Sequence, residues 1–306
     1  MFEAANDRTR PNLKVQDGCD NRCSFCVIPY VRGQSRSLRL AEVIREVDTL
    51  VTAGYREVVI SGINLGRWGR DLVWGGRPRP PRFEDLVRAI LSETTLQKLR
   101  LSSVEPMDWS DALIRLVATS PRIAKHAHLP LQSGSDAVLR RMHRKYRPWH
   151  YREKIEKIRA AMPTAAIGAD VMAGFPGETE TEFEETRRLV EDLPFTYLHV
   201  FTYSARPGTP AATMAKQVPI HIARERNRIL RDLAAGKKLA FMNNFVGQPI
   251  ETITLNLSGS DQEGEYTQGL TDNYLPIRVK GNHPPNRWIP ARVERVLDGA
   301  LRGIAA

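Results

Sequence analysis

Cysteine is scarce in this chain of 306 residues: there are three, all within the eight residues Cys19–Cys26. An odd number at such tight spacing is a poor disulfide framework, so a reducing, cytoplasmic setting is expected. Long apolar runs are missing as well. No stretch approaches eighteen uninterrupted apolar residues, which argues against a membrane-spanning helix. The first fifteen residues hold no apolar run of the kind a secretory signal carries. Acidic residues are in deficit, 35 against 45 Lys and Arg, for a net charge of +10. That balance points toward a polyanionic partner.

The excess is not evenly spread. Residues 244–306 hold six cations and seven acids, so the first 243 residues carry +11. The densest part is "RRMHRKYRPWHYREKIEKIR", Arg140 to Arg159, with nine cations, two glutamates and Tyr146, Trp149 and Tyr151 interleaved. It reads equally as a solvated helix face or as a surface for RNA. The loop Gly66 to Arg82 has five arginines, one aspartate, Trp68 and Trp74. Arginines and aromatics on a loop suit phosphates and unstacked bases, although a plain surface loop has the same composition. In the C-terminal segment, Arg278 to Arg302 holds six cations and two acids, so any grip on RNA there must be local. Candidate RNA contacts are Arg67, Arg70, Arg140, Arg141, Lys145, Arg147, Arg278 and Lys280.

From residue 12 to about 203, short β-rich runs alternate with helical patterns. "NLKVQD", "REVVISG", "KLRLSSVE", "HAHLPLQ", "AAIGADVMAG" and "YLHVFTYS" read as six strands. Between them, "LRLAEVIREVDTLVTAG" repeats apolar residues at helical spacing and stops at Gly54. "FEDLVRAIL", "SDALIRLVA", a pair around 135–161 and "ETEFEETRRLVEDL" are also helical. Parallel strands need helical crossovers, so the expected core is α/β, a six-stranded partial (β/α) barrel over residues 12–243. It follows a short N-terminal linker, 1–11, and ends in a long basic helix. Residues 244–306 switch to short strands with Gly, Asn and Pro turns, the texture of a small all-β barrel. Ligands of parallel α/β folds collect at the carboxyl ends of the strands, and the cysteine loop follows the first of them.

The cysteine spacing is C-x3-C-x2-C. A structural zinc site wants four ligands, and there is no second cysteine pair; His126 and His128 would have to reach across the sheet and more naturally pack and hydrogen-bond. A nucleophile explains one thiol, not three. An iron–sulfur cluster on Cys19, Cys23 and Cys26 accommodates the count and leaves one iron open to an exchangeable ligand.

This loop, with Phe25 just before the third cysteine, resembles that of radical S-adenosylmethionine (SAM) enzymes. The resemblance implies a 4Fe-4S cluster whose open iron chelates the methionine end of SAM, and cleavage of SAM to a 5′-deoxyadenosyl radical. "KVQDGCDNRCSFCVIPYVRGQSRS", "SGINLGRWG", "HLPLQSGSDAVLRRMHRKY", "DVMAGFPGETETEFEET" and "HVFTYSARPGTPA" resemble the methylthiotransferases, and most of all the tRNA group acting on threonylcarbamoyladenosine beside the anticodon. The C-terminal segment, with "GLTDNYLPIRV", is similar to a TRAM domain, a small RNA-binding barrel.

What this implies is a transferase that adds a methylthio group to an adenosine of the tRNA anticodon stem-loop, with electrons from a flavodoxin or ferredoxin. The SAM-binding candidates begin with Phe25, Ser61, Gly62 and Asn64 around the first two strand ends. Ser103 and Glu105 follow at the third, where a capping Glu-Pro turn is the alternative. Gln132 and Ser133 close the fourth, where Ser133 or Ser135 could instead cap the next helix. Arg144, as a carboxylate clamp or a solvated cation, Asp170, a charge in an apolar strand, and Tyr203 complete the set.

The family also carries an auxiliary 4Fe-4S cluster for sulfur delivery, on three further cysteines of a preceding domain. This chain has no ligands for it, so an expected partner is a separate auxiliary-cluster domain, and the chain reads as part of a longer protein. A ribosomal protein as substrate, or a non-catalytic RNA-binding remnant, are the competing readings.

Overall fold

The structure, a computed structural model, describes residues 9–73, 79–262 and 264–306. Trp74, Arg77 and most of the N-terminal linker, all read from the sequence above, lie outside the described residues.

The core begins with β1 (Asn12–Asp17), which leads into the cysteine loop, a short α1 (Ile28–Val31) and β2 (Arg36–Ser37). Then follow α2 (Leu40–Thr52), β3 (Glu57–Gly62), α3 (Phe83–Glu93), β4 (Lys98–Leu101), α4 (Asp111–Thr119) and β5 (His126–His128). After α5 (Asp136–Arg141) and α6 (Pro148–Ala161) come β6 (Ala166–Ala173), α7 (Glu180–Asp192), β7 (Tyr197–Thr202) and the long α8 (Ile220–Asn243). The helical stripe of α2 does what its spacing dictates: Val43 and Val47 are fully buried. At α7 the sequence T-E-T-E forms a capping box, with Thr179 accepting from Glu182 N and the Glu182 side chain accepting from Thr179 N.

The six expected strands are present and parallel, with two departures. They form two sheets, β2-β1-β3-β4 and β5-β6-β7, linked by a single parallel bridge between Leu99 and Ile123. β2 is an extra strand, two residues long and antiparallel to β1, too short for any periodicity to reveal. The fourth expected strand, "HAHLPLQ", is regular only over His126–His128. Pro130 has no N–H to offer a ladder, and beyond it Gln132 takes a positive φ of 64° and bridges Val171 of β6.

The C-terminal segment is sheet-rich. β8 (Pro249–Asp261), β9 (Gly264–Thr271), β10 (Pro276–Lys280), β11 (Trp288–Leu297) and β12 (Ala300–Ala305) pair in the order β10-β12-β11-β8-β9 and close on themselves. Met242 and Phe245, at the end of α8, belong to its apolar core with Ile277, Val279 and Leu301.

This unit is docked, not merely tethered. Asn286 bonds Arg56 N and Gly54 O, Lys98 pairs with Asp272 at 3.0 Å, and Asn273 donates to Thr164 O. The buried Arg100 holds Glu57 and donates to the Asp272 and Thr271 carbonyls. Most of these core residues sit at or just before the starts of β3, β4 and β6. The C-terminal unit therefore covers the amino-terminal edge of the core sheet, opposite the cysteine loop.

Candidate metal and cofactor centre

The site is built on the carboxyl ends of β1, β3 and β4. β1 buries Leu13 and Val15 and then places the buried Gln16 at the turn. Its Nε2 donates to the Asp17 and Gly18 carbonyls and to Ser35 Oγ, while its Oε1 accepts from Asn64 N at 2.7 Å. One amide thus ties the start of the cysteine loop to the loop after β3. Gly62 is there because that amide is: a Cβ would come within 2.8 Å of Gln16 Oε1. Gly18, at φ +68°, would place a Cβ 2.0 Å from the Gln34 carbonyl, so only glycine fits the bend.

The cysteine loop is pinned from three sides. Cys19 N donates to Gly33 O, Ser24 bonds the Met142 and Arg141 carbonyls at the end of α5, and Ser24 O accepts from Ala211 N. Phe25 meets the edge of Phe175 (centroids 6.5 Å apart), and Tyr203 meets Phe175 from the other side at 5.6 Å.

All three thiols are free and half-buried. Burial pushes the Cys19 and Cys26 thiols up, and neighbouring Cys23 adds to the effect at both. Donors face the sulfurs. Arg144 Nη1 lies 3.2 Å from Cys23 Sγ, Asn64 Nδ2 3.6 Å from Cys19 Sγ, and Asn21 N 3.4 Å from the same sulfur. Arg144 is itself buried, 7% exposed, and is no solvated cation. Its Nη2 pairs with Glu105 and its Nε donates to Tyr146 Oη, which in turn donates toward the Pro130 and Leu131 carbonyls. Burial works against the charge of Arg144, but Tyr146, Glu105 and Cys23 together outweigh it and hold its pKa well above the ordinary value.

The structure therefore gathers Cys19, Cys23, Cys26, Phe25, Asn64, Glu105 and Arg144 at one edge, with Tyr203 behind Phe175. Ser61 and Gly62 are on β3 beside them, Ser61 opposite Lys14 of β1. The other candidates go elsewhere. Ser133 is fully buried and bonded to Thr186 of α7. Ser135 occupies the N-cap position of α5 without making the side-chain bond expected of a cap. Asp170 faces His128 and His199, and Ser103 lines a cavity with those two histidines. Gln16 went unread in the sequence, and Tyr146 was read only as an aromatic interleaved in the basic stretch; Gln16 gave no signal beyond being one of several polar residues in β1.

Most of the RNA candidates already have partners. Arg140 and Arg147 pair with Asp136, Arg141 is bidentate to Glu182, and Arg67 and Arg70 share Asp108. Arg278 lies over Tyr266 and near Asp261 and Asp298. Lys145 and Lys280 are exposed and have no ion pair among the described residues.

The model of the Radical SAM superfamily matches residues 13–190, which is more than half the chain and includes all three cysteines. This chain belongs to the radical SAM superfamily. Membership implies a 4Fe-4S cluster and SAM. Within the superfamily, the chain is 39% identical over 280 residues to the threonylcarbamoyladenosine tRNA methylthiotransferase of Rickettsia prowazekii, covering 91% of this chain and 63% of the relative. It is 38% identical to the Bacillus subtilis enzyme of the same name, with 91% and 60% covered. It is also 36% identical to the tRNA-2-methylthio-N(6)-dimethylallyladenosine synthase of Pseudomonas aeruginosa, with 95% and 65% covered. The chain thus spans 60–65% of the length of these relatives. In fold it is similar to a radical SAM methyltransferase from Kitasatospora setae (TM-score 0.53, 16% identity, 66% of this chain and 38% of that one). Methylornithine synthase is similar too, at TM-score 0.52 and 16% identity over 76% of this chain and 64% of the other.

The side chains present fit the superfamily's cluster. Three thiols on one short loop, met by an asparagine, a backbone N–H and an arginine, are a donor set for thiolate sulfur bound to iron.

Proposed function

We propose that this chain is the SAM-cleaving and RNA-engaging part of a tRNA methylthiotransferase that acts on an adenosine beside the anticodon, threonylcarbamoyladenosine in particular. The observation that carries the reading is the Glu105–Arg144–Cys23 chain beside two further thiols, in a sequence 36–39% identical to three tRNA methylthiotransferases. Cys19, Cys23 and Cys26 hold the cluster, and residues 12–243 form the partial barrel around it. Residues 244–306 are the TRAM-like unit. When bound, the cluster and SAM supply the one-electron cleavage chemistry, with electrons from a flavodoxin or ferredoxin.

The chain's own contribution is positional. Asn64, Asn21 N–H and Arg144 donate to sulfur, which spreads negative charge off the thiolates and tunes their reduction. Arg144 offers a guanidinium at the edge where the methionine carboxylate of SAM would lie, prepositioned by Glu105 and Tyr146. Phe25, Phe175 and Tyr203 form an apolar wall that keeps water from the reacting edge. The sulfur source is an auxiliary cluster on a separate domain, since every cysteine of this chain is used.

With the chain reconstituted anaerobically, close to four irons and four sulfides per chain are expected, and a strong reductant should give 5′-deoxyadenosine from SAM. No methylthio-adenosine should appear in tRNA with this chain alone. Stoichiometric zinc in place of iron would sink the cluster assignment, and robust methylthiolation by the isolated chain would sink the separate sulfur source.

A further inference from the structure

His128, Asp170 and His199 stand on β5, β6 and β7, and the proposed reaction makes no use of them as a group. Asp170 is level with His199 in the parallel β6/β7 pair, and its Oδ1 lies 3.2 Å from His128 Nε2 and 3.3 Å from His199 Nδ1. All three donor atoms fall within 4.8 Å of one another. A tetrahedral ion with bonds of about 2.0–2.1 Å sets its ligand atoms about 3.3–3.4 Å apart, so two of the three edges already have that length.

His128 supplies the second observation. It is 4% exposed, and its Nε2 has no satisfactory hydrogen-bond partner, which is costly for a buried polar atom. Its other nitrogen, Nδ1, lies 2.9 Å from the Tyr197 hydroxyl, and that oxygen lies 2.7 Å from His126 Nε2. A metal-ligating histidine is usually held by a hydrogen bond at one ring nitrogen and leaves the other for the ion, and His128 has that arrangement. The electrostatics agree. Burial alone would raise the Asp170 pKa, but the imidazoles of His128 and His199 beside it hold the carboxyl below the usual carboxylate range, so it is ionised at neutral pH.

We propose that His128 Nε2, the Asp170 carboxylate and His199 Nδ1 bind one divalent first-row transition-metal cation, with its remaining coordination positions open to the adjoining cavity. That cavity is about 600 Å³ and is lined by His128 and His199 among others. Two imidazoles and one carboxylate form the donor set that zinc and non-haem iron use when they keep a position free. The rival is a plain hydrogen-bonded relay through Asp170, with no ion.

The chain carrying Cys19→Ser, Cys23→Ser and Cys26→Ser, which removes the thiolates as competing ligands, is titrated anaerobically with Co²⁺. One equivalent should bind, giving visible ligand-field bands without sulfur charge transfer, and Zn²⁺ should displace it. His199→Ala, at a half-exposed position, should lose the bands while keeping the circular dichroism of the parent, and Asp170→Asn should do the same. Tyr197→Phe, which removes the steadying hydroxyl, should weaken binding about 10–100-fold. A folded triple variant that takes up no cobalt, or unchanged affinity in His199→Ala, overturns the site and leaves the relay. Should the triple variant fail to fold, zinc counted on the cluster-loaded parent and on its His199→Ala variant decides in the same way.

Discussion

Arg144 shows what one residue contributes that its sequence context hides. In "HRKYR" it is one cation among several, yet it alone of these is buried, and it alone touches a thiol. Replacing it by glutamine keeps a donor but removes the charge beside Cys23 and leaves Glu105 without its partner. Charge-assisted hydrogen bonds contribute about 1.5–3 kcal/mol, so SAM cleavage by Arg144→Gln should fall about tenfold to a hundredfold. Iron content should stay near four per chain, because none of the proposed cluster ligands is changed. Iron analysis alongside 5′-deoxyadenosine formation separates this from Cys23→Ala, where both should be lost. A variant that cleaves SAM at the parent rate would show that Arg144 only packs.

The element that matters most is the β1-to-cysteine turn. Gly18→Ala puts a Cβ against the Gln34 carbonyl at a positive φ, which costs about 1–3 kcal/mol and moves the loop. Iron uptake should drop well below the parent while far-ultraviolet circular dichroism is unchanged; full loading would mean that the loop adapts. At α7, Thr179→Ala removes an N-cap and should destabilise by about 1 kcal/mol, read as a lower denaturant midpoint with no change in iron. Strands β1, β3, β4, β6 and β7 were legible from their short β-rich runs, and α2 and α7 from their helical patterns. β2 and the loosened β4–β5 seam were not. A two-residue strand has no period, and the seam depends on which strand ends meet, not on the composition of either.

At the scale of the whole molecule, the +10 charge overstates the cations open to RNA, because at least six of the eight candidates are paired with acids or packed on tyrosine. Lys145, exposed and a few residues before the exposed Trp149, is different. Lys145→Ala should lower the salt slope of tRNA binding by about 0.7–0.9, whereas Arg141→Ala should chiefly loosen the α5–α7 junction. A salt titration in which Lys145→Ala and the parent share one slope would assign Lys145 to solvent. The docked interface adds a pH dependence. His126 stacks on Tyr274 of the C-terminal unit (centroids 4.4 Å apart), and burial, then Arg100, push its pKa well below the ordinary value. The unfolded imidazole takes a proton below about pH 6.5 while the buried one does not, so the unfolded state binds more protons there and stability falls as pH drops. Thermal unfolding between pH 7.5 and 5.5 should show this decline, and His126→Gln should flatten it.

By itself, the sequence determined the chemistry-bearing loop and the class of fold. Three cysteines spaced C-x3-C-x2-C, glycines at the bends and alternating apolar runs are local patterns, and local patterns survive without knowledge of what packs against them. Only the tertiary structure decided which polar residues meet. Gln16 joins two loops, Arg144 reaches back across 121 residues to Cys23, and His128, Asp170 and His199 converge from three strands. It also decided that the C-terminal unit covers the amino-terminal edge of the core, away from the thiols. Such pairings are set by strand order, register and burial, and a side chain's charge does not reveal whether its partner will be water, a carboxylate or a sulfur.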